Sequence, residues 1–532
     1  MKKLYLILLG LFLTTSVFAQ EGLQKVKIDD FSGGQNSFYL SDIIEMNQGE
    51  SMKNIILNKK GQLSKRTGQT LFIASNSTTA FRGIGRFDPD QNTSYMMVAS
   101  PPSVIRAESS STSWTEINSG YSQSAGYDTE FIQANNNLFV FNGQDATSWY
   151  DGSVYYKGTS GGSTSPPTAT TAAWLNNYLF LGGNPTHTDW IYVSDNLTPT
   201  IFTVASNIMK INTGDGQAVK RLETFREKEI IVYKERSIFL MDISGTTMIT
   251  DWTVTPISKS VGCVAPRSVV SLGNDQWFLS SEPYAVRSLV RSQFDKILVD
   301  MVSTPIQDIF NGTGTITINK TQISKSCAIL YDNKYLLAIP TGTSTINNTV
   351  CVFDFITNSW YIIDGWYPAE WVVFNDNLYY IDANIGSVIQ CFTGTTGDIG
   401  NISASTPTVA IEYEYISKSI DFDNPENYKQ LDALEIEFET AGNYTATIYI
   451  NLDKDGWQNI GTINLSGSVI TLPVTLPFTL KGSGVARKTF HLQRYGEFKK
   501  MQIKVVQNGL DELCNLHRIT VFALVKPWRR EN

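Results

Sequence analysis

The chain is poor in charge: only 17% of its 532 residues are Asp, Glu, Lys or Arg, against about 25% in an ordinary globular protein. Helix surfaces draw on Ala, Glu and Lys, so a mainly helical fold is disfavoured. Ser, Thr, Asn, Gly and Tyr fill the deficit and suit strands and polar turns. Three histidines and no closely spaced cysteine pair offer little from which to build a zinc site. Acids outnumber bases, 50 to 42, for a formal charge of −8, so a surface made to grip nucleic-acid phosphates is not expected. The one basic cluster, Lys526, Arg529 and Arg530, reads as a solvated tail. Past the first twenty residues no apolar run approaches the length of about 20 that a membrane helix needs.

Those first twenty residues have the layout of an export signal. Lys2-Lys3 precede the apolar run Leu4–Leu13, and Val17-Phe18-Ala19 offers a small residue for cleavage. Residues 1–19 are therefore read as a signal-like leader. The cysteines (263, 327, 351, 391 and 514) are odd in number and scattered through apolar strand-like stretches. They read as buried free thiols; a Cys327–Cys351 bridge would form only if their strands pair.

The middle of the chain repeats itself. An Asn/Asp-rich turn followed by an apolar-aromatic strand recurs with anchors at 92, 136, 177, 228, 275, 333 and 377, in steps of 41 to 58 residues. Asn176-Asn177-Tyr178-Leu179-Phe180 and Asp332-Asn333-Lys334-Tyr335-Leu336 are representative. Such spacing fits propeller blades, each a four-stranded sheet. After residue 400 the rhythm becomes period two: Leu434, Ile436 and Phe438 alternate with Glu435, Glu437 and Glu439, as in an antiparallel sandwich with one wet face. The expected fold is all-β, a propeller of six or seven blades over 81–398 followed by a β-sandwich platform over 399–532. Residues 20–80 form an N-terminal arm without a propeller unit of its own, able to add edge strands to the sandwich. A linker is expected between Ile399 and Pro407.

Chemistry is harder to find. No phosphate loop, nucleophile elbow or metalloprotease motif occurs. Asn451-Leu452-Asp453-Lys454-Asp455-Gly456 starts like a calcium loop but has Thr462 at the twelfth position, so a hairpin turn is the better reading. Asp354, Asp364, Glu370 and Asp382 are candidates for a glycosidase pair, yet the sequence cannot select two of them. His187, His491 and His517 stand far apart. No catalytic, cofactor-binding or metal-ligating residue is assigned, no cofactor is expected, and the chain is not read as an enzyme.

Two ordered clusters carry more information. The first holds Gly33-Gly34, Asn47-Gln48, Asn54 and Gly61-Gln62-Leu63-Ser64-Lys65-Arg66-Thr67-Gly68, in which Arg66 suits a structural ion pair. The second holds Gly214-Asp215-Gly216, the strand pair 230–233 and 238–242, and Gly262-Cys263-Val264-Ala265-Pro266-Arg267. Together with the closing Lys526-Pro527-Trp528-Arg529, they resemble the tail tubular (nozzle, or stabilisation) proteins of short-tailed bacteriophages, and the muzzle proteins of crAss-like phages are similar in role. The resemblance spans about residues 26–532. It implies a structural virion protein of the tail tube: a homohexameric ring beneath the portal and adaptor, contacting other tail proteins, with DNA passing through its channel unbound during genome ejection. The leader instead predicts export, and the rival expectation is an extracellular propeller–sandwich protein that binds or cleaves surface glycans through aromatics such as Trp366, Tyr367 and Trp371.

Overall fold

The seven repeat anchors lie in, or one residue after, the connections that join the first two strands of seven β-units. In a computed structural model, which describes residues 22–526 apart from 58–60, 74–79, 109–112, 159–163, 204–206, 246–247, 274, 292–296, 385, 395, 401–407 and 467–483, three of these turns have both central residues at positive φ: Asn176-Asn177, Asp332-Asn333 and Asn375-Asp376. Leu175 pairs with Tyr178, Tyr331 with Lys334 and Phe374 with Asn377, so each loop is two residues long. That is the hairpin geometry whose twist matches the strands, and Asn and Asp reach it at little cost.

Each unit is a four-stranded antiparallel sheet, and the chain is a β-propeller. Six sheets stand alone: 83–116, 130–156, 171–210, 219–258, 270–301, and 368–391 completed by Gln69–Ile73. The remaining blade, Cys327–Tyr331 to Ser359–Asp364, is the first part of a ten-stranded sheet. The innermost strands touch in succession around a closed ring, the last (Pro368–Phe374) meeting the first (Gly83–Phe87). Between blades lie separate apolar clusters such as Phe180, Ile230, Val232 and Trp252. The residues joining first and second strands are close in sequence, which is why the repeat was legible.

The ten-stranded sheet leaves the propeller through the arm. Gln48–Lys53 runs parallel to Ser359–Asp364 and antiparallel to Tyr413–Ser417; Met501–Gln507, Thr445–Leu452 and Trp457–Asn464 follow. A seven-stranded sheet built on Asn515–Val525 and Lys429–Glu439 faces it, and Leu23–Ile28 lies along Asn515–Val525. Tyr415, Ile448 and Ile503 of one layer share a core with Leu434, Ile436 and Val521 of the other. The alternation extends as expected except at Glu437, which is buried between Arg487 and Arg518.

Several expectations need correction. The arm does contain a propeller strand, since Gln69–Ile73 pairs with Val388–Cys391 and finishes the last blade; its partner lies more than 300 residues on, beyond any local signal. Cys327 and Cys351 do not bridge. Their strands flank Lys334–Ile339, where they oppose Ala338 and Leu337 and so face opposite sides. All five cysteines are free and buried, with burial pushing the Cys263 and Cys514 thiols up to about 12. The leader 1–19, most of the expected linker (401–407) and residues 527–532 lie outside the described residues. No helix among those described is long and apolar enough to cross a membrane.

Candidate functional site

The clusters singled out in the sequence sit where parts of the chain are joined. A Cβ on Gly34, at φ +69°, would stand 2.5 Å from the Ser359 Cβ, so only glycine lets the arm lie on the outer strand of the fused blade. Arg66 is fully buried. Its Nη1 donates to Asp398 Oδ1 (2.9 Å), its Nη2 to the Asp364 carbonyl (2.9 Å) and its Nε to Asn54 Oδ1 (2.9 Å). The guanidinium also lies 4.9 Å from the Trp366 ring centroid, and Nη2 closes a second contact to Asp398. Gly68 lets the chain pass the Gly397 carbonyl, which a Cβ would meet at 1.8 Å. In the second cluster, the buried Lys234 Nζ holds Asp215 at 2.8 Å, and Gly262 packs against the Lys234 carbonyl between two blades. These motifs build the framework; none opens onto a cavity as a reacting group.

A cleft of about 840 Å³ opens beside the first junction. Blade strands, the arm and the sandwich supply its walls, and its charge is mostly acidic: Glu50, Asp308, Asp364 and Glu414 against Lys53. Lys53 Nζ bridges Asp364 (2.8 Å) and Glu412 (2.7 Å). Burial opposes its charge, but those two carboxylates outweigh it and hold the ammonium above its usual range. Asp308, in the only α-helix among the described residues (Gln307–Asn311), accepts from the Ser37 hydroxyl at 2.8 Å; burial raises its carboxyl despite that bond. Thr313, Thr315 and Thr341 line the opposite wall. Its carboxylates suit the cleft to holding cations and hydrogen-bond donors.

The four candidate carboxylates lie in separate places. Asp364 is in the cleft. Asp354 lies on the buried face of its blade, 4.0 Å from Lys334, and Asp382 accepts from the Asn384 amide in a turn. Glu370 is at the propeller axis, beside a cavity of about 320 Å³ whose walls include Glu130, Arg221 and Glu223. There Arg267 meets Glu130 at 2.7 Å and Glu370 at 3.4 Å, while Arg221 meets Glu130 at 3.2 Å. Burial opposes the Glu130 charge, yet the Arg267 and Arg221 guanidiniums hold its carboxyl below the usual range. Burial dominates at Glu370, raising its carboxyl, with Arg267 opposing and Glu130 reinforcing.

Glu370 therefore keeps its proton in the folded chain at pH values where the unfolded chain has lost it. The contribution of Glu370 to stability falls as pH rises from the ordinary carboxylate value of 4.5 towards the raised one. Glu370→Gln keeps an oxygen to accept from the Ile84 amide (2.9 Å) and removes the titration. Denaturant titrations between about pH 5 and about pH 8 are expected to show a flatter pH dependence for this variant and, at the upper end, stability equal to or above that of the unmodified chain. Parallel curves for the two would refute the assignment.

Other candidates fall away from the surface. Trp366 and Trp371 are 0% and 6% exposed and pack against Tyr380, so they offer no platform for a sugar; Tyr367 alone reaches the cleft. Leu452–Gly456 is the turn of the hairpin Thr445–Leu452/Trp457–Asn464, with Asp453 accepting from the Lys499 and Lys500 amides. His187 stacks on Trp190, and His517 contacts Gln62. Among the described residues no three His, Cys, Asp or Glu side chains group as metal ligands. The sequence singled out Arg267 and Glu370 separately but gave no sign that they meet, because Glu130 and Arg221 come from other stretches without a motif.

No family model matches the chain, and neither does any curated protein sequence. Solved structures that resemble it do so at the level of propeller architecture. They include YCF48 from Cyanidioschyzon merolae (12% identity, TM-score 0.37, 61% of this chain and 96% of that one) and the Pan2 WD40 domain from Neurospora crassa (7%, 0.37, 62% and 96%). Another is the extracellular domain of a hybrid two-component system from B. thetaiotaomicron (11%, 0.41, 62% of this chain), of which the chain spans 40%.

Proposed function

We propose that the chain is a structural subunit of a short phage tail, assembling into a ring of the tail tube through which DNA is ejected. The observation that carries this reading is the ten-stranded sheet that joins a propeller blade, through the arm, to the sandwich, the blade meeting the arm strand at the parallel pair Lys53–Ile362. Two domains linked only by a flexible segment would move independently. Here hydrogen-bonded strands and the Arg66 network bind them, as suits a subunit that must transmit load rather than open and close. The residues carrying the resemblance, Gly34, Arg66 and Gly68, are the ones that make this joint. The formal charge of −8 agrees with a conduit, because a like-charged lumen does not retain DNA by counterion release.

The glycan-binding alternative loses two of its three named aromatics, since Trp366 and Trp371 are interior and Tyr367 alone reaches the cleft. Negative-stain imaging and mass photometry of the purified full chain test the proposal: closed rings, six-fold in projection, are expected. A chain that stays monomeric at every concentration and in the presence of tail adaptor protein would overturn it.

A further inference from the structure

The cleft described above has a second feature on its rim. The arm loop that follows Ser37 is held by its backbone, with the Ser37 and Phe38 amides donating to the Pro305 carbonyl and Asp42 paired to Lys500. Yet it turns its apolar side chains outward: Leu40 and Ile43 are 67% and 66% exposed, and Phe38, Tyr39 and Met46 are exposed beside them. Five large apolar residues are exposed within nine positions, a concentration of the kind that marks a protein contact. Ser37, whose hydroxyl bonds Asp308, belongs to the cleft wall, so the acidic cleft and the apolar loop form one bipartite surface. The cleft offers acceptors to a cation and the loop an apolar seat to an aromatic.

The sequence contains such a segment. Lys526-Pro527-Trp528-Arg529-Arg530-Glu531-Asn532 holds three cations and one tryptophan, against a chain that is acidic overall. Trp and Arg are the residues that most often anchor a protein contact, and a guanidinium matches carboxylates such as Glu50, Asp364 and Glu414 in both charge and geometry. The proline favours an extended approach, which lowers the ordering cost of docking. From Lys526, fixed by its amide to the Tyr428 carbonyl, the six following residues reach at most about 20 Å.

We propose that residues 527–532 of one subunit dock on the cleft and apolar loop of a neighbouring copy, Arg529 and Arg530 entering the carboxylates and Trp528 resting on the loop. The choice of a neighbouring copy rests on the ring reading above. It gives a head-to-tail contact, in which donor and acceptor surfaces differ, and repetition of that contact closes a ring when the rotation between copies divides a full turn.

Two measurements on the full chain test it. A fluorescent synthetic peptide of residues 524–532 is titrated by anisotropy onto the Arg529→Glu/Arg530→Glu chain, whose own tail no longer competes. Binding should weaken at least tenfold when Glu50→Lys and Glu414→Lys are added, weaken with added salt, and weaken again on Ile43→Asp. Mass photometry is then run on the same variants: the tail substitutions should dissolve the rings, and adding the two cleft substitutions should restore them by exchanging the charges. Circular dichroism on the cleft variant checks that it folds; if it does not, Ile43→Asp carries the test. Intact rings from the tail variant, with no peptide binding, would overturn this docking and leave the ring reading standing. Peptide binding by a wild-type chain that never forms rings would overturn the neighbouring-copy assignment and the ring reading together.

Discussion

Replacing Arg66 by methionine is expected to cost about 3–5 kcal/mol of folding stability, the range found when one partner of a buried ion pair is removed. The side chain is fully buried, and Asp398 is 4% exposed, so the variant leaves a carboxylate with no counter-charge and no route to water. The guanidinium also spends its donors on three separate stretches, Asn54 in the arm, Asp364 at the end of the fused blade and Asp398 before the sandwich. Its loss therefore loosens the joint as well as stranding a charge. Arg66→Met/Asp398→Leu should recover most of the loss, because an apolar pair of similar volume removes the desolvation cost rather than paying it twice. Guanidinium unfolding followed by tryptophan fluorescence reads both, since Trp366 stacks on the guanidinium. A cost for the single variant below about 1 kcal/mol, the level of an exposed pair, would mean that Arg66 does not carry the joint.

That joint marks the boundary of what could be read from the sequence. The hairpins were legible because Asn176-Asn177 or Asp332-Asn333 and their flanking strands lie within a dozen residues, and type of turn, polarity and strand pattern agree locally. The sandwich alternation at Leu434, Ile436 and Phe438 was legible for the same reason. Arg66 could be suspected of a structural ion pair, but its partner Asp398 is 332 positions away and is one acidic residue among many. The strands Gln48–Lys53 and Gln69–Ile73 are short and partly polar, and what makes them strands is an edge supplied by distant chain. The aromatics Trp366 and Trp371 look surface-ready beside Asp364, Gly365 and Tyr367, but the Arg66 stack and Tyr380 enclose them. The cleft and the axial network have no sequence signature, because each collects single residues from stretches that only the closed ring brings together.

The axial network yields the second large effect. Arg267→Met is expected to destabilise the chain by about 3–5 kcal/mol near pH 7, and the penalty should shrink on acidification. Arg267 donates to Glu130 and to the Thr129 carbonyl (3.0 Å) and the Arg82 carbonyl (3.2 Å), and it pairs with Glu370 across the axis. A single residue beside the fifth blade thus ties down the first, second and seventh. Without it Arg221 still faces Glu130 and acts on Glu370 only through its field, and both carboxyls lose their main attractive charge. Folded-state values for both then rise, so the folded variant takes up protons that the unfolded chain does not, and its stability falls more steeply with pH than that of the unmodified chain. Unfolding midpoints at about pH 8 and about pH 5 should show a large gap between variant and unmodified chain at the first and a smaller one at the second. Adding Glu370→Gln to the variant should restore part of the loss at the higher pH and little at the lower, because there Glu370 is already protonated. A penalty that stays constant with pH would mean that Arg267 acts through its carbonyl contacts and packing, with no part in balancing the half-buried carboxylates.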